Sequence, residues 1–272
     1  MNKINLMINE KITSVQNPLI KKIEKLGRSN SFRKKESLII LDGIHIIQEV
    51  LKTDKTQKIE QIFYTREGLR NKEISNIVEK IGNKRSIEVG TNVFQKISTT
   101  TNPTGIIASY KKPKHPVLKD ENFIILLDHI SDPGNMGTIL RTGVSMGAKA
   151  FFCSRDCVDI WGSKVVRAAQ GAHFYAKIFD NFDLVKIKDV FNGNILGTFL
   201  DENAKSLYKT DLTGKVALCF GNEGQGISSP IEKVCDQKIY IPMQNNFESL
   251  NVAISAGICC AEKVRQEKFA TQ

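Results

Sequence analysis

The stretch FIILLDHISDPGNMGTILRTGVSMGA, residues 123–148, limits the fold more than any other part of the chain. Phe123 to Leu127 is an uninterrupted apolar run, the pattern of a strand covered on both faces. SDPGN cannot extend that strand, because Pro133 has no N–H to donate and Gly134 admits backbone angles closed to other residues. Ile139, Leu140 and Val144 then mark a helix, with Asn135 placed to cap it. A buried strand, a sharp turn and a helix form the repeating unit of an open α/β sheet, which binds its ligands beyond the carboxyl ends of the strands. Asn135 and Arg141 fall at such an end.

Two later segments have the same build. In VALCFGNEGQGIS (216–228) an apolar run enters a loop in which Gly221, Gly224 and Gly226 surround Glu223. A loop so rich in glycine lets a ligand come close to the backbone. It fits neither GxGxxG nor GxxxxGK[ST], so neither a dinucleotide fingerprint nor a P-loop is present. In KIYIPMQNNFESLNVAISAGICC (238–260) a strand reaches Pro242, a polar loop follows, and a helix is expected to start near Ser249. Ala253, Ser255, Ala256 and Gly257 on that helix are small enough for close backbone packing.

Charge separates these segments from the rest of the chain. The whole carries 39 Lys/Arg against 29 Asp/Glu, a net +10. Residues 1–117 hold 22 basic and 11 acidic side chains, while 118–272 hold 17 and 18. All of the excess positive charge lies in the first part. A basic module joined to a near-neutral one points to a polyanion-gripping domain attached to a domain with another task. The join is YKKPKHPVLKD, Tyr110 to Asp120, stiffened by Pro113 and Pro116 and kept in water by four lysines.

Within the basic part, Leu19, Ile23 and Leu26 recur at helical spacing, and Arg28, Arg33, Lys34 and Lys35 follow in a polar stretch. SLIILDG reads as a buried strand ending in a turn, and Ile44 to Lys52 as a helix. IEQIFYT, SIEVG and TGIIASY are further strands, and Ile74, Ile77, Val78 and Ile81 form one face of another helix. Strands alternating with helices imply a layered α/β domain.

Composition excludes other classes. Apolar residues make up 41% of the chain, too many for general disorder, and 19 Gly with 7 Pro exclude a collagen. The longest uncharged apolar run, Asn251 to Ala261, is about half of the ~20 residues that a membrane-crossing helix requires. The start MNKINLMINEKI meets Glu10 and Lys11 too early for a signal peptide, so a cytoplasmic location and no membrane are expected. Cys153, Cys157, Cys219, Cys235, Cys259 and Cys260 form no CxxC pair and have no His at metal-ligand spacing, so buried thiols and no metal are expected.

In the order DPGNMGTILR, GNEGQG, IPM and SLNV, the later segments resemble the three motifs of the SpoU family within the SPOUT methyltransferases, whose pattern is approximately D-P-x-N-x-G-x-x-x-R, then G-N-E-x-x-G, then I-P-M with S-L-N-V. KVVRAAQGAHF (Lys164 to Phe174) is similar to the family's helix before its third strand. ITSVQNPLIKKIEKL, LIILDGIHIIQEVL and TNPTGIIASY look like its amino-terminal substrate-binding domain, which resembles kink-turn-binding ribosomal proteins. The likeness runs from about residue 11 to 265. It departs at Asp42-Gly43, where Glu-Gly is usual, and at Asn245, where Gly is usual. Asn tolerates positive φ better than most residues.

The resemblance implies an amino-terminal ribosomal-protein-like α/β RNA-binding domain (1–110), a linker (111–121) and a carboxyl-terminal SPOUT α/β domain with a trefoil knot (122–272). It implies methyl transfer from S-adenosylmethionine to a ribose 2′-hydroxyl of RNA, with 23S rRNA as the first expectation. A tRNA substrate and a non-catalytic RNA-binding or ribosome-assembly role are the alternatives. Family members acting on the tRNA D-loop generally lack the amino-terminal domain, which favours rRNA. Some rRNA members of this architecture confer resistance to thiopeptide antibiotics. A homodimer through the carboxyl-terminal domain is implied, with the active site near the subunit contact. By their match to the motifs, Asn135, Arg141, Glu223, Ser249 and Asn251 are the expected catalytic residues, and Thr198, Leu200, Gly221, Ile241 and Leu250 the expected cofactor contacts. The charge reading puts RNA on Arg28, Arg33, Lys34 and Lys35.

Overall fold

The computed structural model describes residues 11–116, 118, 120–201, 203–244 and 249–269. Asn245 lies outside the described residues. The chain forms two compact units, the first from residues 1–113 with Trp161–Phe174, the second from 114–160 with 175–272.

The first unit begins with helices α1 (Pro18–Arg28) and α2 (Asn30–Glu36), followed by β1 (Leu38–Asp42), α3 (Ile44–Leu51), β2 (Ile59–Tyr64), α4 (Lys72–Ile81), β3 (Ser86–Glu88), α5 (Thr91–Ile97) and β4 (Ile106–Lys111). The strands lie in the order β1-β4-β2-β3, antiparallel except for β2 with β3. Ile20, Ile23 and Leu26 of α1 meet Leu38, Ile40, Phe63 and Ile107 of the sheet together with Val93, Phe94 and Ile97 of α5. Ile74, Ile77, Val78 and Ile81 are all buried on α4, the face that their spacing predicts.

The polar stretch after α1 turns out to be the helix α2. Arg33 is 7% exposed there, and its Nη1 donates to the Leu26 carbonyl at 2.7 Å. The last carbonyls of a helix need donors, and this guanidinium supplies one to α1. Arg33 is thereby withdrawn from the expected RNA-binding surface. Arg28, Lys34 and Lys35 remain exposed, Arg28 beside Glu24 at 3.0 Å.

The second unit contains β5 (Phe123–Leu127), α6 (Pro133–Ser145) and β6 (Ala150–Cys153). After the segment that carries α7 (Ser163–Ala168), it continues through β7 (Lys177–Phe179), β8 (Asn194–Thr198), β9 (Lys205–Ser206), β10 (Val216–Phe220), α8 (Ser229–Glu232), β11 (Gln237–Tyr240) and α9 (Val252–Phe269). Its seven strands are all parallel, in the order β7-β6-β5-β10-β8-β11-β9. Every residue of β5 and of β10 is buried, as continuous apolar runs require. Ile124 and Leu126 face a cluster with Leu184, Ile187, Phe191, Ile227 and Ile231. On the opposite face, a Cβ at Gly143 of α6 would come within 2.6 Å of Ile125 and 2.8 Å of Phe151, so this glycine lets the helix lie directly on the sheet.

The segment Trp161–Phe174 is far in sequence from the rest of the first unit and belongs to it structurally. Ser163 Oγ donates to the Gly27 carbonyl at 3.4 Å, Lys55 Nζ to the Phe174 carbonyl at 2.5 Å, and Tyr110 meets the Phe174 ring edge-on at 5.2 Å. α7, expected inside the carboxyl-terminal domain, therefore lies within the first unit. The stretch Lys164 to Phe174 is α-helical only to Ala168, because Gln170 (φ 50) and Gly171 (φ 90) turn the chain left-handed before a single 3-10 turn at Ala172–Phe174.

Candidate active site

A parallel sheet puts the carboxyl ends of all its strands on one edge, so the turns after β5, β10 and β11 open on the same side. These turns carry DPGN, GNEGQG and the approach to SLN. Asp132 begins the first of them, and its Oδ1 accepts from the Asn135 N–H at 2.8 Å. Asp132 is therefore the cap of α6, and Asn135, expected in that role, lies in the first turn with its side chain available for other contacts. Likewise α9 starts at Val252 rather than near Ser249. Asn251 Oδ1 caps it, accepting from Ala253 N at 2.9 Å and Ile254 N at 3.3 Å.

These two caps set up a directed relay. Because Asn251 Oδ1 faces the start of α9, its Nδ2 points away and donates to Asn135 Oδ1 at 3.0 Å. Asn135 Nδ2 is then left to donate to Glu223 Oε1 at 2.7 Å. Each amide has one orientation that satisfies all its partners, so the relay runs in one direction and ends on a carboxylate. Residues 116 and 88 positions apart in sequence meet here, one from each motif.

The loop that holds Glu223 is closed by Asn222 and Gly226, which exchange backbone hydrogen bonds at 3.0 and 2.9 Å. A Cβ on Gly221 would sit 2.2 Å from the Gly226 carbonyl carbon, and Gly226 itself has φ 71. Gly221 is thus required by the tight closure of its own loop, where the sequence suggested room for a ligand. Asn222 Oδ1 accepts from Gly224 N at 2.9 Å and Gln225 N at 3.2 Å, and its Nδ2 reaches the His129 carbonyl at 2.9 Å.

Arg141 stands outside the relay. It is exposed on α6, and its guanidinium has no hydrogen bond or ion pair among the described residues. Ser249 is exposed two residues before Asn251. The expected cofactor positions follow neighbouring strands. Thr198 ends β8 and donates from Oγ1 to the Cys219 carbonyl of β10 at 3.2 Å. Ile241 follows β11 and is half-buried. Leu200 (67% exposed) and Leu250 (36% exposed) are large apolar side chains open to solvent. Sequence reasoning passed over Asp128, His129 and Asp132, because a short polar interval between a strand and a helix gives no sign of which residue turns inward.

The first unit has a cavity of about 270 Å³, lined among others by Asp42, His45, Asn102, Thr104, Arg167 and Gln170. Asp42 Oδ2 accepts from Ser98 Oγ, Thr99 N and Thr99 Oγ1 at 2.6–3.0 Å. Among the described residues, no three His, Cys, Asp or Glu side chains gather as a metal site, and no helix is long and apolar enough to cross a membrane. All six cysteines are free thiols.

Residues 122–261, which include the whole relay, match the model of the SpoU rRNA methylase family. The chain belongs to that family. Residues 17–108 match the MRM3-like substrate-binding domain. This SpoU protein is 28% identical over 242 residues to the 23S rRNA (guanosine-2'-O-)-methyltransferase RlmB of Acinetobacter baylyi, covering 82% of this chain and 96% of that one. It is 26% identical to the 23S rRNA (guanosine(2553)-2'-O)-methyltransferase RlmP of Bacillus subtilis, covering 92% and 97%. An AdoMet-bound rRNA methyltransferase from Sinorhizobium meliloti has the same fold, with a TM-score of 0.82 at 23% identity over 96% of this chain and 98% of its own.

Proposed function

We propose that this SpoU protein methylates a ribose 2′-hydroxyl in 23S rRNA with S-adenosylmethionine as methyl donor. The observation that carries the reading is the Asn251–Asn135–Glu223 relay, which joins all three family motifs at the carboxyl edge of the parallel sheet. The two relatives named above are 23S rRNA 2'-O-methyltransferases in name and match both parts of the chain, which favours rRNA over tRNA. Retention of Asn135, Arg141, Glu223 and Asn251 favours an enzyme over a non-catalytic assembly factor.

The residues present suit the methyl donor. Leu200 and Leu250 offer exposed apolar surface to a flat base, and the backbone around Gly221, Thr198 and Ile241 offers donors and acceptors. The donor supplies an activated methyl group on a sulfonium, so the transfer itself needs no metal. This chain must hold the ribose in line with that methyl and stabilise the oxygen as it loses its proton. Arg141 anchors the RNA phosphate and stabilises the developing alkoxide. Its guanidinium is exposed for that role and, as a delocalised cation without an acceptor lone pair, is a poor base. Glu223 is held by Asn135 with one oxygen engaged, and with Ser249 it orients the ribose. The reading includes a trefoil knot at the carboxyl end, supported by a sheet order that places the later strands β10 and β11 on either side of β8. It also includes a homodimer through the second unit and RNA contacts at Arg28, Lys34 and Lys35.

The test is to map ribose 2′-O-methylation across total rRNA and tRNA in cells with and without the protein. One 23S nucleotide that loses its methyl group in the deletion and regains it on complementation is the expected result. A loss confined to tRNA overturns the rRNA assignment, and an unchanged map in both RNAs overturns the enzyme.

A further inference from the structure

His129 lies between β5 and α6, beside the relay and outside it. Its Nδ1 is 2.8 Å from Asp128 Oδ1 and its Nε2 is 3.2 Å from Asp156 Oδ2. Both ring nitrogens therefore face carboxylates, which only accept. A neutral imidazole has one N–H, and would set a lone pair against one of the two; an imidazolium satisfies both. Asp128 is 1% exposed, and its Oδ2 accepts from Ser228 N at 2.8 Å. A carboxylate that deep requires a cation or donors on each side.

The backbone of His129 is equally constrained. Its φ of 57 is left-handed, an unfavourable conformation for a side chain of this size unless its surroundings impose it. The His129 N–H donates to Ser154 Oγ at 3.0 Å, and its carbonyl accepts from Asn222 Nδ2 at 2.9 Å. Asp128 N donates to the Phe220 carbonyl at 2.9 Å. The dipeptide Asp128-His129 thus touches both ends of the glycine-rich loop: Phe220 and Asn222 where it begins, Ser228 where it ends. Glu223 is the residue next to Asn222.

We propose that His129 is a positioning residue, which as an imidazolium clamped between Asp128 and Asp156 holds the 220–228 loop so that Glu223 meets Asn135. The ionisable groups acting on it are Asp128 at the end of β5 and Asp156 and Cys157 in the turn after β6. Partial burial alone would pull its pKa down. The hydrogen bond to Asp128 and the charges of Asp128, Asp156 and Cys157 outweigh that and hold it above the ordinary value. The clamp is complete below the ordinary histidine pKa and is lost as the pH rises through the raised one.

The test uses the full chain and nuclear magnetic resonance, with single-turnover transfer alongside; only the second readout rests on the ribose-methylation reading. The chain has 4 histidines, and His129→Asn identifies the His129 signal by its loss. Asn tolerates the left-handed backbone and keeps one donor for Asp128, but carries no charge. In the unaltered protein, the backbone amides of Asn222 to Gln225 should shift with the same midpoint as the His129 ring. Asp156→Asn should lower that midpoint by about half a pH unit or more, taking the loop signals with it. His129→Asn should leave the loop signals without that transition and slow transfer to rRNA about tenfold, with no alkaline limb of its own. Loop signals that ignore the His129 titration, an unmoved midpoint in Asp156→Asn, or an unaltered rate in His129→Asn would overturn the proposal. If the unaltered protein transfers no methyl to rRNA, the functional reading fails while the titration still decides the clamp.

Discussion

The chain contains two sheets built from similar short apolar runs, and they expose function differently. In the seven-stranded sheet every strand runs the same way, so every carboxyl-terminal turn opens on one edge, and three turns distant in sequence share a hydrogen-bonded relay. In the four-stranded sheet β4 runs against the other three strands, so its carboxyl end opens on the opposite edge. The candidate RNA contacts Arg28, Lys34 and Lys35 lie on helices α1 and α2 rather than in turns. One-way sheets concentrate single residues that must meet to within an ångström; a basic surface for a polyanion requires only sign and spread.

The sharpest test of that contrast is Arg141. Arg141→Ala should lower single-turnover methyl transfer by about 10³-fold, since it removes the charge proposed to stabilise the developing oxyanion. Cofactor affinity, measured by calorimetry, should change little, because the proposed cofactor contacts Leu200, Gly221, Ile241 and Leu250 are untouched. Arg141→Lys should also be severely slowed, as lysine lacks the planar fork. Normal turnover in Arg141→Ala would show that the parallel edge is not the reacting site.

Two glycines of one loop give the next test. Gly221→Ala forces a Cβ to within 2.2 Å of backbone and should cost about 2–4 kcal/mol in denaturant unfolding. At Gly224 a Cβ would meet only Asn222 Oδ1, at 3.6 Å, so Gly224→Ala should be nearly neutral. Equal effects would mean that loop closure is not what selects glycine at 221.

Asn135→Asp places a second carboxylate against Glu223 and removes the donor needed at the middle of the relay. Turnover should fall about 10- to 100-fold with RNA affinity unchanged. A rate within twofold of the unaltered enzyme would remove the relay from the mechanism.

The smallest effects are expected on the basic unit. Lys34→Ala and Lys35→Ala should each reduce the slope of log affinity for RNA against log salt by about 0.7–0.9, with catalysis at saturating RNA unaltered. Arg33→Ala should instead cost about 1–3 kcal/mol of stability, from the carbonyl left without its buried donor, and leave the slope as it was. If Arg33→Ala changed the slope and the two lysines did not, the division between inner and outer charges would be the reverse of that in the structure.

Several elements were legible from the sequence for a plain reason. Phe123–Leu127 and Val216–Phe220 are buried on both faces, so each is apolar throughout, and α4 shows its buried face at a regular spacing. The three motif segments were recognisable as family signatures, and the family match covers them. Arg33 was misread because a charged residue among others looks solvated, and nothing local tells that its guanidinium reaches back seven residues to a carbonyl. Asn135 looked like a cap because Asn suits that position, but Asp132 suits it too and precedes Pro133, which fixes where the helix begins.

By itself, then, the sequence determined what depends on neighbours along the chain: which runs are strands, where proline and glycine end them, and that positive charge gathers in the first part. Tertiary structure alone decided what depends on neighbours in space. It gave Asp132 and not Asn135 the cap, joined Asn135 to Glu223 and Asn251, left the Arg141 guanidinium exposed, and placed Trp161–Phe174 with the amino-terminal unit. The physical reason is that an amide, a carboxylate or a guanidinium has several local partners of similar worth. Only the packed arrangement, by fixing which other donors and acceptors lie within about 3 Å, selects among them.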